Sequence, residues 1–320
     1  MAKPDPAVDA RYRSLLQKAV RRGHVDLVIT AGAYLEAVGD PGWFEQRTSV
    51  IVLGECWPLS GRTVFTKAFH SKLAALVRAA QTRKDRDAAG LGFLAYALAQ
   101  NDRTTLAEAQ DDRTLKLLAQ AVQRPTKFWE WIAAQPCPED RRRFIRRVAA
   151  AARGNRPHDE AVAQAAAHLA LTAPLPDTPA AAPPGATFPY WVVFDRHTAP
   201  GQRALRDVAR DLHLKPAQLE WCFYVYAGSL SNGDGPAAWW ERYCRWGFSR
   251  NELRPEEAGL IWEPAGRQLA DALAADAHAL QAELYAWKLA HRDRVEHLKH
   301  EVDLFIERIR DVPLDQPGLF

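Results

Sequence analysis

A chain of 320 residues and 35.8 kDa has length for two ordinary domains. Its 48% apolar and 25% charged composition excludes global disorder. No apolar run approaches the ~18–20 residues of a membrane span. Met1 to Asp9 lacks the apolar core of a secretory signal. Four cysteines (Cys56, Cys137, Cys222, Cys244) are widely spaced and form no C-x-x-C, which disfavours a zinc ribbon or disulfide scaffold. These features lead to the expectation of a cytoplasmic protein without membrane association. The net charge of +3 conceals an asymmetry. Residues 1–172 hold 26 Lys/Arg against 18 Asp/Glu, a balance of +8, and the remainder holds 16 against 21, a balance of −5. A basic half of this kind suits an anionic partner, and an acidic half suits protein or solvent.

In chain order, the periodicity predicts an all-α protein. Tyr12, Leu15, Leu16, Ala19 and Val20 recur at helical spacing before Gly23, and a second helix runs from Val25 to the Gly39-Asp40-Pro41-Gly42 turn. Further helices are predicted at about 43–57, 62–80, 85–99, 104–122, 126–134, 139–152 and 158–171, separated by short turns as in a helical bundle. No constant repeat period emerges. Between 172 and 189 the chain carries six prolines and no apolar periodicity, which reads as an extended linker over 173–187. The segment 188–263 holds 14 of the 31 aromatics and is predicted as a second domain, with a short strand at Trp191–Phe194 and helices over 202–212, 216–228 and 236–246. From Pro264 to about residue 312 the pattern predicts one long helix or a hairpin broken near His291. Val295, Leu298, Val302, Phe305 and Ile309 follow a 3-4-3-4 heptad spacing. Packing within the chain would cover the stripe up to Trp287. The regular seam from Val295 to Ile309 is assigned to a partner chain, as a homo- or hetero-oligomer.

Among chemical motifs, the phosphate loop G-x-x-x-x-G-K-[ST] is absent. Gly90-x-Gly92-x-x-Ala95 matches a dinucleotide fingerprint on paper, but it follows Lys84-Asp85-Arg86-Asp87 rather than a strand and reads as helix. Gly228-Ser229-Leu230-Ser231 does not make a nucleophile elbow. His297-x-x-His300, with Glu296 and Glu301, reads as a solvated helix face, so neither cofactor nor metal is expected. Asp195 and His197 precede a helix and read first as capping and loop residues. With Glu220 they supply the alternative of an enzyme site. The leading electrostatic feature is the segment 138–156. On a helix, Phe144, Ile145, Val148 and Ala152 share one face, while Arg142, Arg143, Arg146 and Arg147 occupy the other, with Arg153 close by. An arginine comb suits duplex phosphates, contacts that fix position and respond to salt. It also fits an acidic protein surface, including the chain's own second domain, or a solvated face. The aromatics of 188–262 carry few interleaved cations and read as core rather than a base-stacking platform.

Residues 11–100 resemble the post-ATPase collar of the RarA/MgsA group of clamp-loader-like AAA+ proteins. The resemblance rests on Gln17-Lys18-Ala19, Arg21-Arg22-Gly23, Val25-Asp26, Gly39-Asp40-Pro41, Arg47 and Glu55. It implies a helical collar through which subunits oligomerise, in proteins that act on DNA at replication forks. The nucleotide-binding and lid portions have no counterpart here, so ATP hydrolysis does not carry over. The expected function is a non-enzymatic accessory subunit of DNA replication or repair that contacts DNA or a partner AAA+ ATPase. A purely protein-binding adaptor is the other alternative.

Overall fold

Helical periodicity becomes helix almost wherever the sequence carries it. The structure, a computed structural model, describes residues 10–39, 41–61, 63, 68–102, 112–152, 156–175, 180–183, 187–232 and 237–310. The first half comprises α1 (Ala10–Arg21), α2 (Val25–Ala37), α3 (Pro41–Glu55), α4 (Trp57–Ser60), α5 (Phe69–Gln81), α6 (Asp87–Ala99), α7 (Arg113–Gln123), α8 (Pro125–Ala134), α9 (Glu139–Ala152) and α10 (Pro157–Thr172). A 3₁₀ turn, Tyr190–Val193, follows, then α11 (Ala199–Asp211), α12 (Pro216–Phe223), a π-helical turn at Tyr224–Gly228, and α13 (Ala238–Arg250). The chain continues with α14 (Pro255–Ala272), α15 (Ala274–Ala290) and α16 (Arg292–Arg310). Among the described residues the protein is all-α, with only two isolated bridges, Cys56 to Asp85 and Thr82 to Ala181. No described helix is long and apolar enough to cross a membrane.

Local chemistry sets several boundaries. Prolines open α8, α10, α12 and α14, where the missing N–H removes nothing the first turn needs. Asp112 caps α7 by accepting the Leu115 N–H at 2.9 Å, and Thr198 caps α11 through Gly201 N–H at 3.3 Å. Gly23, at φ +74°, ends α1 with the left-handed turn that glycine adopts without steric cost. The expected strand at Trp191–Phe194 is instead the 3₁₀ turn. With no neighbouring strand to pair with, its backbone bonds locally, Val192 N–H to the Pro189 carbonyl and Phe194 N–H to that of Trp191, both at 3.1 Å. The C-terminal stretch is three helices, interrupted at Leu273 and His291. Pro264, expected at the start of the last element, lies inside α14.

The cores do not divide where the prolines do. One buried cluster joins α1, α2, α3 and α5 to the 3₁₀ turn, α11, α12, α14, α15 and α16, from Leu15 and Leu76 to Val193, Leu219 and Leu280. A second joins α6 to α10 with α13, whose Trp246 is buried among them and whose Trp239, Trp240 and Tyr243 pack alongside. The expected boundaries at 172 and 188 therefore fall between segments that share one hydrophobic core, and the boundary at 263 falls inside α14. The segment 180–183, expected as free linker, is pinned to the end of α5. Arg83 N–H donates to the Ala180 carbonyl at 2.7 Å and Ala182 N–H to that of Gln81 at 2.8 Å. Asn232 Nδ2 also donates to the Pro183 carbonyl at 3.0 Å. Proline fixes an extended backbone, but extended backbone can equally be a strap across a packed surface.

The heptad seam has its partner inside the chain. Val295, Leu298 and Val302 are 4%, 5% and 0% exposed, because α16 lies on α2 and α5. Phe305 is half-buried against the same core, its ring 5.6 Å from that of His70, and Ile309 is half-buried. The assignment of this seam to a partner chain is corrected accordingly. The apolar surface of α2 and α5 needed the cover that α16 supplies.

Candidate functional site

The arginine helix forms as expected, with Phe144, Ile145 and Val148 buried and the basic side chains turned away from them. Glu139 and Asp140 occupy its first turn, where carboxylates suit the helix dipole. Arg142 and Arg146 are exposed, and both reach Glu139: Arg142 Nε at 3.7 Å, and Arg146 Nη2 in a direct hydrogen bond. Arg143 is half-buried. Arg147 leaves the comb. Its Nη1 donates to the Gly61 carbonyl at 2.6 Å, fastening α9 to the end of α4. Burial, and secondarily the charge of Arg143, lower its pKa. Arg153 lies outside the described residues. The outward face thus presents Arg142, Arg143 and Arg146, and from 113 to 152 the sequence carries nine Lys/Arg against three Asp/Glu.

The second ionic assembly is internal, and it unites residues that the sequence reading kept apart. Lys18 is buried, donating to Asp195 Oδ2 at 2.6 Å and to Ser14 Oγ at 2.7 Å. Ser14 in turn donates to the Val193 carbonyl at 2.8 Å. Asp195 also accepts the backbone N–H of His197 at 2.9 Å and lies 3.1 Å from its Nδ1. Although burial opposes its charge, His197 and Lys18 hold the Asp195 carboxyl well below the usual carboxylate range. Burial lowers Lys18 more than Asp195 restores it. Asp195 collects the two His197 contacts as well as the ammonium.

One turn further along α1, Arg21 donates Nε to Glu55 Oε1 at 2.7 Å and Nη1 to the Gly228 carbonyl. Arg86 brings Nε to 3.3 Å from the other oxygen of Glu55, donates to the Ser229 carbonyl, and lies over the Trp240 ring at 4.9 Å. Two guanidiniums therefore share one buried carboxylate, and with it they hold the π-helical turn against α1, α3 and α6. Tyr224 is pushed up to about 12, chiefly by burial. Arg47 of α3 pairs with Asp159 of α10 at 2.8 Å. Of the residues that carry the collar resemblance, Lys18, Arg21, Arg22, Arg47 and Glu55 are all tied to other parts of this chain. Arg86 was not singled out from the sequence, because nothing local marks it as the second cation on Glu55.

Asp195 and His197 do meet, but the carboxylate is committed to Lys18, and no hydrogen bond joins Glu220 to either among the described residues. Nor does any group of three or more His, Cys, Asp and Glu gather as a metal site among the described residues. His297 instead sits 3.7 Å from Glu301 on an exposed face of α16. The Gly90-x-Gly92 match is helix packing. A Cβ on Gly90 would lie 2.4 Å from the Trp239 carbonyl carbon, and one on Gly92 would lie 2.6 Å from Val162 Cα. The bare backbone is what lets α6 touch α13 and α10. Comparison with protein-family models, curated proteins and solved structures returns no match to this chain.

Proposed function

We propose that this chain is a non-enzymatic accessory subunit of DNA replication or repair, working within an oligomeric assembly and contacting DNA through the outer side of α7 to α9. The observation that supports the reading is the exposed face of α9. There Arg142 and Arg146 are exposed beside Glu139 and Arg143 is half-buried on the same helix, within a three-helix stretch whose basic residues outnumber acidic ones nine to three. Guanidinium groups on a rigid helix engage successive phosphates without reading base sequence. The collar resemblance supplies the setting, and a partner AAA+ ATPase is the natural companion in it.

The test is fluorescence anisotropy with a mixed-sequence duplex across a salt series. About three neutralised phosphates imply a log–log salt slope of about −3. Replacing Arg142, Arg143 and Arg146 together by glutamine should flatten that slope and weaken binding to every sequence alike. A slope and affinity unchanged in the triple variant would remove α9 as the DNA surface.

A further inference from the structure

A cavity of about 480 Å³ opens between the end of α1, the 3₁₀ turn, the π-helical turn and α14. It is an open cleft rather than an enclosed chamber, and its volume lies in the range of small-molecule sites. Three aromatic side chains line it, Trp191, Tyr226 and Trp262. They are close to parallel: Trp262 lies 5.8 Å from Tyr226 at 21° and 6.4 Å from Trp191 at 26°. Stacked on one another, the three rings make one aromatic wall against which a flat apolar ligand can pack.

The backbone around the cavity is unusual on both sides. α14 turns Gly259, Trp262, Glu263 and Gly266 toward it, positions that share one helical face. Each glycine in a helix interior costs roughly 1 kcal/mol relative to alanine, and Pro264 between them has no N–H to give the Leu260 carbonyl. The opposite wall is the π-helical turn, closed by the Ser229 N–H donating five residues back to the Tyr224 carbonyl at 2.6 Å. π-Helical segments are rare and concentrate at functional sites. A concentration of locally unfavourable choices around one cavity is the pattern of a site kept for a use.

Charge specifies the ligand further. Arg22 lines the cavity and has no carboxylate partner among the described residues. Its Nη2 donates to the Ala227 carbonyl at 2.8 Å, and its buried Nε has no hydrogen-bond acceptor. Burial and the adjacent Arg21 lower its pKa to about 10, so it carries its charge at neutral pH. Arg267 at the rim lies 3.7 Å from Glu263, and those two cancel. Among the described residues lining the cavity, the half-buried charge of Arg22 is left without a carboxylate to balance it.

We infer that this cavity binds a small planar aromatic anion, its ring against Trp191, Tyr226 and Trp262 and its carboxylate or phosphate on the guanidinium of Arg22. Such a ligand answers the aromatic walls, the uncompensated cation and the open face of α14 together. A neutral ring would leave Arg22 as it is, and an inorganic anion would leave the aromatic walls wet.

Isothermal titration of the full chain with two anions tests this, adenosine 5′-monophosphate for the phosphate class and naphthalene-2-carboxylate for the carboxylate class. Adenosine and naphthalene-2-carboxamide serve as neutral counterparts. At least one anion should bind saturably at one site, about tenfold or more tighter than its neutral counterpart, as a charge-assisted hydrogen bond requires. Arg22→Gln should remove that preference. Gly259→Leu should abolish binding by filling the cavity. A Cβ at that position meets only the Tyr226 hydroxyl at 3.8 Å, and an unchanged thermal melt should confirm that the variant folds. Failure of both anions to bind at millimolar concentration overturns the inference. So does equal affinity for the neutral compounds, or undiminished binding to the Gly259→Leu variant.

Discussion

Lys18 and Asp195, 177 positions apart in the chain, meet at 2.6 Å between the end of α1 and the loop that follows the 3₁₀ turn. The Lys18 side chain is 5% exposed and that of Asp195 19%, so the pair is shielded from the screening that makes surface pairs weak.

Removing one member should therefore cost more than removing both. Asp195→Asn leaves a buried ammonium without its counter-charge, and the expected loss is about 3–5 kcal/mol. Lys18→Met combined with Asp195→Asn should recover a large part of it. The folded carboxyl is depressed, so its contribution is fully present above pH ~4 and fades as the pH falls toward its folded value. Urea melts of both single variants and the double variant at pH 7 measure the coupling. Simple additivity would show that the pair is not a unit.

Asp85 behaves in the opposite sense. Its carboxylate accepts from Trp57 Nε1 at 3.0 Å and from the Asp87 N–H at 3.2 Å, but no cation pairs with it among the described residues, and burial pushes its pKa up to about 6. The unfolded chain releases this proton near the ordinary aspartate value of 3.8, so stability declines as pH rises from 3.8 to about 6 and stays reduced above. An asparagine carbonyl can accept the same two hydrogen bonds without the charge. Asp85→Asn should raise stability by about 1–3 kcal/mol at pH 7.5 and leave it unchanged at pH 4. Chemical denaturation at the two pH values tests this; an equal gain at both would place its origin outside the titration.

The helices were legible because their information is local: a 3.6-residue apolar period, a proline at the first turn, a capping Asp112 or Thr198. What joins them was not. Nothing around Arg21 indicates that its partners are Glu55 and the Gly228 carbonyl, and nothing around Asp195 points to Lys18. Of the six-proline segment, residues 180–183 run along the end of α5. Their role as a strap depends on hydrogen bonds from Arg83 and to Gln81, which lie about a hundred residues away. The heptad seam was read correctly as a surface needing cover, but a period cannot say whose surface covers it. The arginine comb lost Arg147 for the same reason, because Gly61 approaches it only in three dimensions.

With α16 serving as internal cover, a truncation in its seam should act on the whole chain. Leu298→Ala removes a side chain that is 5% exposed, in contact with the core that includes α2 and α5. A loss of about 2–5 kcal/mol is expected, in one cooperative transition. Sedimentation velocity on the same variant should show no change in oligomeric state attributable to the seam. A variant with unaltered stability but altered assembly would return the seam to an interface role.

The glycines of α6 and α3 make a paired prediction, because propensity and packing give opposite signs. Alanine is a better helix former than glycine by roughly 1 kcal/mol, so on local grounds each replacement should stabilise. Gly54, inside α3, has nothing within 4 Å of the position a Cβ would take, and Gly54→Ala should realise that gain. At Gly92 the added carbon would lie 2.6 Å from Val162 Cα and 2.7 Å from its nitrogen, and both are backbone atoms that cannot turn aside. At Gly90 it would meet the Trp239 carbonyl group and the Trp240 nitrogen at 2.4 Å. Separating α6 from α10 or α13 by the required distance opens packing along the whole second core, which should exceed the helix gain and give a net loss of about 2 kcal/mol or more. Thermal melts of the three alanine variants decide the matter. If Gly92→Ala and Gly90→Ala stabilise the protein as Gly54→Ala should, α6 does not touch its neighbours backbone to backbone, and the close packing described for the second core is wrong.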